Sequence, residues 1–78
     1  PNPFNPRTKI HYFLSENVKV QMDVYNMLGQ RMENLVNNFQ IAGEHQFNWD
    51  AVNFPSGIYF INMRAGSFQE THKVLIIK

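Results

Sequence analysis

Histidines, carboxylates and hydroxyl side chains are the residues of this 78-residue sequence that could do chemistry. His11, His45 and His72 lie far apart, and no H-x-H or H-x-x-x-H spacing places two of them on one face of an element. The sequence also has no cysteine, so no thiolate zinc site and no disulfide can form within it. We therefore expect no metal site and no cofactor.

The carboxylates and hydroxyls do not form a catalytic pattern. The six Asp and Glu residues are spread one per predicted element, and no pair stands in the apolar surroundings that the separate roles of general acid and general base require. None of the five serines and threonines stands in a nucleophile-elbow pattern, and the four glycines do not form a phosphate-binding loop. Asp50 with Asn48 and Asn53 resembles a calcium loop without its bidentate glutamate, so turn capping is the favoured interpretation. The sequence predicts a protein that is not an enzyme.

Aromatic side chains offer another binding chemistry, because they can stack on the apolar faces of sugar rings. The candidates for such a platform are Tyr25, Trp49, Phe54 and Phe60. Trp49 stands two residues after Phe47, and alternate residues of a strand share a face. Because that face is the expected core, burial of Trp49 is favoured. An accessory carbohydrate-binding module or a structural spacer stays the alternative function.

Length and charge restrict the chain to one small domain and exclude two classes of partner. Seven basic and six acidic residues give a net charge of +1, which provides no long-range attraction to nucleic acid or an anionic membrane. No apolar run approaches the roughly 20 residues that span a bilayer. The sequence opens on prolines without an initiator methionine or a secretory signal, so we expect it to be part of a longer protein.

Alternating apolar and polar residues predict strands over most of the chain. Residues 1–6 are read as a proline-rich linker leading into the first strand, with Phe4 able to pin it to the domain. Residues 7–78 then predict an all-β fold, a small antiparallel β-sandwich of six to seven strands without a substantial helix. In residues 18–25 the valines and Met22 are expected to face inward, and Lys19, Gln21 and Asp23 outward.

The turns and one ambiguous segment connect these strands. Gly29 is the expected left-handed residue of the turn after residue 25. Residues 30–36 suit a helical turn or a bulged strand, since Met32 and Leu35 are three apart, and we favour the strand. Residues 37–43 are expected to form a loop in which Phe39, Ile41 and Ala42 cap the core. Residues 44–50 and 58–64 are expected to pair as a hairpin, in which Gly57 supplies backbone freedom where a side chain would clash.

The last strand does not alternate. Val74, Leu75, Ile76 and Ile77 are consecutive apolar residues, flanked by Lys73 and Lys78. A sandwich strand buries one face only, so two of the four side chains have no evident use in an isolated domain. Covering loops would explain the surplus, and so would an edge kept for a partner, including pairing of two chains as a dimer.

The order of several short motifs carries a family resemblance. The sequence opens with Asn2-Pro3-Phe4-Asn5-Pro6 and continues with Val24-Tyr25-Asn26, Leu28-Gly29-Gln30 and Trp49-Asp50. Pro55-Ser56-Gly57-Ile58-Tyr59-Phe60 and the basic-apolar ending follow. In this order the chain resembles the type A C-terminal sorting domain of the type IX (Por) secretion system of Bacteroidetes, and it is similar to the immunoglobulin-like domain of flagellar hook-capping proteins.

The resemblance implies an immunoglobulin-like sandwich that targets an attached N-terminal cargo domain for export and cell-surface attachment. It implies a type IX translocon and a surface sortase as partners, and a secreted or cell-surface location reached through the periplasm and outer membrane. The positions matching the motifs associated with recognition are Pro55, Gly57, Tyr59, Lys73, Val74, Leu75, Ile76, Ile77 and Lys78. Gly57 and Tyr59 serve recognition or only folding, and both alternatives stay open.

Overall fold

Six strands make up the part of the chain that the computed structural model describes, residues 7–78, and no helix occurs within it. The predicted segment 1–6, with Phe4, lies outside the described residues. The strands are β1 (Arg7–Leu14), β2 (Val18–Tyr25), β3 (Arg31–Gln40), β4 (Gly43–Asp50), β5 (Gly57–Ala65) and β6 (Phe68–Ile76).

The strands form two antiparallel sheets. β1 pairs with β4, and the second sheet has the order β3-β2-β5-β6. β4 therefore pairs with β1, and β5 pairs with β2 and β6, so the predicted hairpin of residues 44–64 does not form. The prediction was wrong because β4 and β5 belong to different sheets. The prediction of a small all-β sandwich is confirmed.

The core lies between the sheets and follows the predicted alternation in β1, β2 and β5. Side-chain hydrogen bonds also join the sheets, because the Tyr12 hydroxyl donates to Gln40 Oε1 (2.6 Å) and Trp49 Nε1 donates to Glu33 Oε1 (3.3 Å). Trp49 is buried as predicted. The buried apolar residues are Ile10, Leu14, Val20, Met22, Val24, Val36, Trp49, Ala51, Tyr59, Ile61, Met63, Ala65 and Ile76.

The turn between β2 and β3 explains the Tyr-Asn-x-x-Gly-Gln motif. Asn26 Oδ1 accepts hydrogen bonds from the amides of Leu28 (2.9 Å) and Gln30 (3.0 Å). The Gly29 amide donates to the Asn26 carbonyl oxygen at 3.0 Å, and Gly29 has a φ of +80°. The expectation of a left-handed glycine at this position is confirmed. The motif is accounted for by this turn, since an L-residue rarely adopts that φ.

β3 is a strand with two bulges, which confirms the favoured alternative for residues 30–36. Met22 lies opposite Val36 and Asp23 opposite Asn34, so Leu35 is an extra residue. Met32 is the second extra residue, between the partners of the last two residues of β2. The three-residue spacing of Met32 and Leu35 therefore reflects two bulges.

The expected loop over residues 37–43 was wrong. β3 continues to Gln40, and only Ile41 and Ala42 separate it from β4. Phe39, Ile41 and Ala42 are exposed and do not cap the core. β3 pairs with β2 as far as Val18, and this ladder keeps the segment extended although its side chains alternate poorly.

Candidate functional site

The predicted recognition residues come together at one end of the four-stranded sheet. β5 and β6 pair so that Gly57 lies opposite Ile76 and Tyr59 opposite Val74. The Lys78 amide donates to Ser56 Oγ at 3.0 Å, and Lys78 Nζ donates to the Val52 carbonyl oxygen. Pro55, Gly57, Tyr59 and residues 73–78 therefore form one continuous region, which we call the tail patch.

The four consecutive apolar residues of the tail patch, the last of which follows the end of β6, alternate between buried and exposed positions. Ile76 is 3% exposed and belongs to the core, and Val74 packs against the core from a half-buried position. Leu75 and Ile77 are 60% and 69% exposed. The fold therefore buries two of the four side chains and leaves two aliphatic side chains in water, as the sequence pattern predicts.

β6 is also an open edge. Within residues 7–78 it pairs with β5 on one side only, and residues 68–73 are exposed throughout. Its register with β5 is continuous, without a bulge. An edge strand of this kind presents unpaired backbone N–H and C=O groups to which another strand can add.

Tyr59 is held inside the fold. Its side chain is buried, and its hydroxyl donates to the Pro55 carbonyl oxygen at 2.7 Å. Its ring packs edge-on against Phe54 (5.4 Å) and Trp49 (6.1 Å), measured between ring centroids. Such edge-on contacts are a favoured aromatic geometry. Tyr59 therefore fixes the loop before β5 and offers little side-chain surface to a partner.

The expectation for Gly57 was wrong. Its φ lies outside the left-handed region, unlike those of Gly29, Gly43 and Gly66. A Cβ added at Gly57 would meet Tyr59 Cε2 at 3.8 Å, which is an ordinary van der Waals contact. Neither backbone conformation nor space requires glycine here.

The two lysines of the tail patch differ in what they can do. Lys73 is exposed and lies opposite Phe60, so its ammonium group is accessible to a partner. Lys78 is tied to the loop of residues 51–56 by both its backbone and its side chain. In the same loop Asp50 Oδ1 accepts a hydrogen bond from the Val52 amide at 3.1 Å, which is the predicted turn capping.

The three histidines have separate environments. His45 stacks on Tyr12 with ring centroids 5.4 Å apart, and His72 Nε2 lies 3.3 Å from Glu70 Oε1. Within residues 7–78 no three His, Cys, Asp or Glu side chains are grouped so that they could hold a metal ion. No helix in this described part has the length and apolar character to cross a membrane.

A buried carboxylate is the polar feature that the sequence did not reveal. Asp23 was expected to face water, but it is 2% exposed. Asn34 Nδ2 donates to its Oδ1 at 2.8 Å, while guanidinium nitrogens of Arg64 and Arg31 lie 3.5 and 3.6 Å from its two oxygens. These partners come from β3 and β5, so only the strand register could have indicated them.

Comparison with known families assigns the chain to one of them. A sequence profile described as "Secretion system C-terminal sorting domain" matches residues 1–78. The chain belongs to this family. Membership implies that the domain is a sorting signal of type IX secretion, carried by a cargo that is exported to the cell surface or released. Sorting signals of this kind are typically non-catalytic. No curated protein and no solved structure matched the chain.

Proposed function

We propose that this domain is an address that presents β5 and β6 to the type IX translocon, which exports the attached cargo for attachment at the cell surface by a sortase. The motif order supports assignment to type A. The observation that carries the proposal is an edge of β6 that is unpaired within residues 7–78, together with two exposed aliphatic side chains, Leu75 in the strand and Ile77 directly after it.

The tail patch has the properties that a docking signal needs. The loop contacts of Lys78 and the buried side chain of Ile76 fix the position of the strand, so Leu75 and Ile77 are presented without a large ordering cost on binding. Lys73 supports recognition of a partner with acidic character beside the strand. Backbone pairing would supply affinity, and the alternate side chains would supply specificity.

A fusion experiment tests the proposal. Residues 1–78 are joined to the C-terminus of a periplasm-directed fluorescent reporter and expressed in a type IX-secreting bacterium and in a translocon-deficient mutant. Protease accessibility on whole cells reports the location of the fusion. We expect surface exposure in the intact strain only, and retention in the periplasm of both strains would refute the proposal.

The same open edge could instead pair with β6 of a second chain. Sedimentation of the isolated domain over a range of concentrations distinguishes the two uses. If the domain forms a stable dimer through β6, and a variant that stays monomeric is still exported, then the dimer is not needed for the address function.

A further inference from the structure

The outer face of the four-stranded sheet, opposite the core, is strongly basic. Residues opposite each other in an antiparallel pair share a face. The registers place Lys19, Arg31, Arg64 and Lys73 on the outer face. The acidic residue on the same face is Asp23. This face thus holds four of the seven basic residues of the chain and one of its six acidic residues, and that one is buried. The charge of this face is complementary to an anionic ligand.

Asp23 positions two of these cations. Its oxygens lie 3.5 Å from Arg64 Nη2 and 3.6 Å from Arg31 Nη1, while both arginine side chains reach solvent. A buried carboxylate that contacts two guanidinium groups restricts their orientation, and their remaining N–H donors can bind an incoming anion. The two arginines together exceed the charge of Asp23 by one.

Two aromatic rings lie beside this cluster. Tyr25 and Phe60 are directly opposite each other on β2 and β5, and both are half-buried on the outer face. They line a groove of about 500 Å³ whose wall includes Asn62, Arg64 and Thr71. Asn62 Nδ2 donates to Thr71 Oγ1 at 2.9 Å. The groove therefore combines two aromatic side chains with amide, hydroxyl and guanidinium groups.

We infer that this groove binds an acidic saccharide. A pyranose ring has an apolar C–H face that suits the flat faces of Tyr25 and Phe60, and its hydroxyls suit the amide and hydroxyl groups of the wall. A sugar carboxylate suits the planar donor array of Arg64. The inference does not depend on translocon recognition.

Binding of the 78-residue chain to polygalacturonic acid tests the inference, with dextran as a neutral saccharide and polyglutamic acid as a polyanion without sugar rings. Tyr25→Leu removes one ring from the groove. We expect it to weaken polygalacturonate binding by about fivefold or more, from the loss of one aromatic contact. The matched control is Phe13→Leu, because Phe13 is an exposed aromatic residue of β1 in the other sheet, and it should not change binding.

Two further variants change other groups of the groove, and a folding control applies to all the variants. Arg64→Lys retains a positive charge near Asp23 but removes the planar donor array, and Phe60→Leu removes the second ring. The thermal midpoint, followed by Trp49 fluorescence, confirms that each variant is folded at the temperature of the binding assay. Equal affinity for polyglutamate would reduce the site to nonspecific charge attraction and overturn the inference. Absence of polygalacturonate binding, or equal losses in Tyr25→Leu and Phe13→Leu, would overturn it as well.

Discussion

Replacing the two exposed aliphatic residues of the tail patch should stop export without unfolding the domain. Leu75→Thr with Ile77→Thr removes the apolar surface that the tail patch presents to solvent. Threonine is β-branched and favourable in strands, so β6 keeps its backbone pairing with β5. If Leu75 and Ile77 contact the translocon, the variant loses the contact while the address stays folded.

The burial of each residue gives the expected effect on stability. Complete burial of a leucine or isoleucine side chain contributes about 1.5–3 kcal/mol. Leu75 and Ile77 are already more than half exposed, so each substitution should lower the free energy of unfolding by about 1 kcal/mol or less. Ile76→Ala, at a position that is 3% exposed, should cost about 2–5 kcal/mol. That loss is a large part of the roughly 5 kcal/mol expected of a small domain.

Export of the reporter fusion and urea unfolding of the isolated domain are measured on the same variants. Ile41→Thr is the matched control, because Ile41 is 68% exposed in the turn between β3 and β4, away from the tail patch. We expect export to fall in the Leu75/Ile77 variant and to stay unchanged in the Ile41 variant. Normal export of a folded Leu75/Ile77 variant would refute the idea that these side chains are recognised.

Three further predictions concern the residues around the tail patch and the sheet. Tyr59→Phe removes the hydrogen bond to the loop before β5 and should lower the free energy of unfolding, measured with urea, by about 1 kcal/mol. An unchanged free energy would mean that water fully replaces this bond. Gly57→Ala should change the free energy of unfolding by less than about 0.5 kcal/mol in a thermal melt, whereas Gly29→Ala should lower it by about 1 kcal/mol, because Gly29 has a φ of +80°. Loss of export in a stably folded Gly57→Ala variant would assign Gly57 to recognition. Asp23→Ala removes the hydrogen bond from Asn34 and the contacts to Arg31 and Arg64, whose side chains reach solvent, and should lower the free energy of unfolding by about 1–2 kcal/mol on thermal unfolding; a neutral result would contradict the proposed charge cluster.

Strand positions were predictable where one face of a strand is buried and the other is solvated. β2 shows this, since Val20, Met22 and Val24 are buried in phase. β3 was harder, because two bulges shift its side chains out of phase and hide the alternation. Its continuation to Gln40 depends on pairing with β2, which no local pattern of residues 37–40 encodes. Local sequence likewise does not determine to which sheet a strand belongs. The pairing of residues 44–50 with 58–64 was therefore predicted wrongly.

The recognition residues were predictable in type and only partly in role. Four consecutive apolar residues on a strand require that two lie outside the core, and Leu75 and Ile77 do. Burial of Tyr59 depends on its packing against Trp49 and Phe54, which lie outside the motif of residues 55–60. Asp23 was misassigned because its partners lie on neighbouring strands.

The same strand serves the fold and the proposed signal, and this limits what truncation can show. Removing residues 74–78 would delete the buried Ile76 and the Lys78 contacts to the loop, together with the exposed Leu75 and Ile77. Loss of export after such a truncation would follow from unfolding as readily as from loss of recognition. Substitutions confined to one face of β6 separate the two causes, because alternate residues of a strand face opposite sides. A variant that keeps Val74 and Ile76 but changes Leu75 and Ile77 is therefore the decisive one.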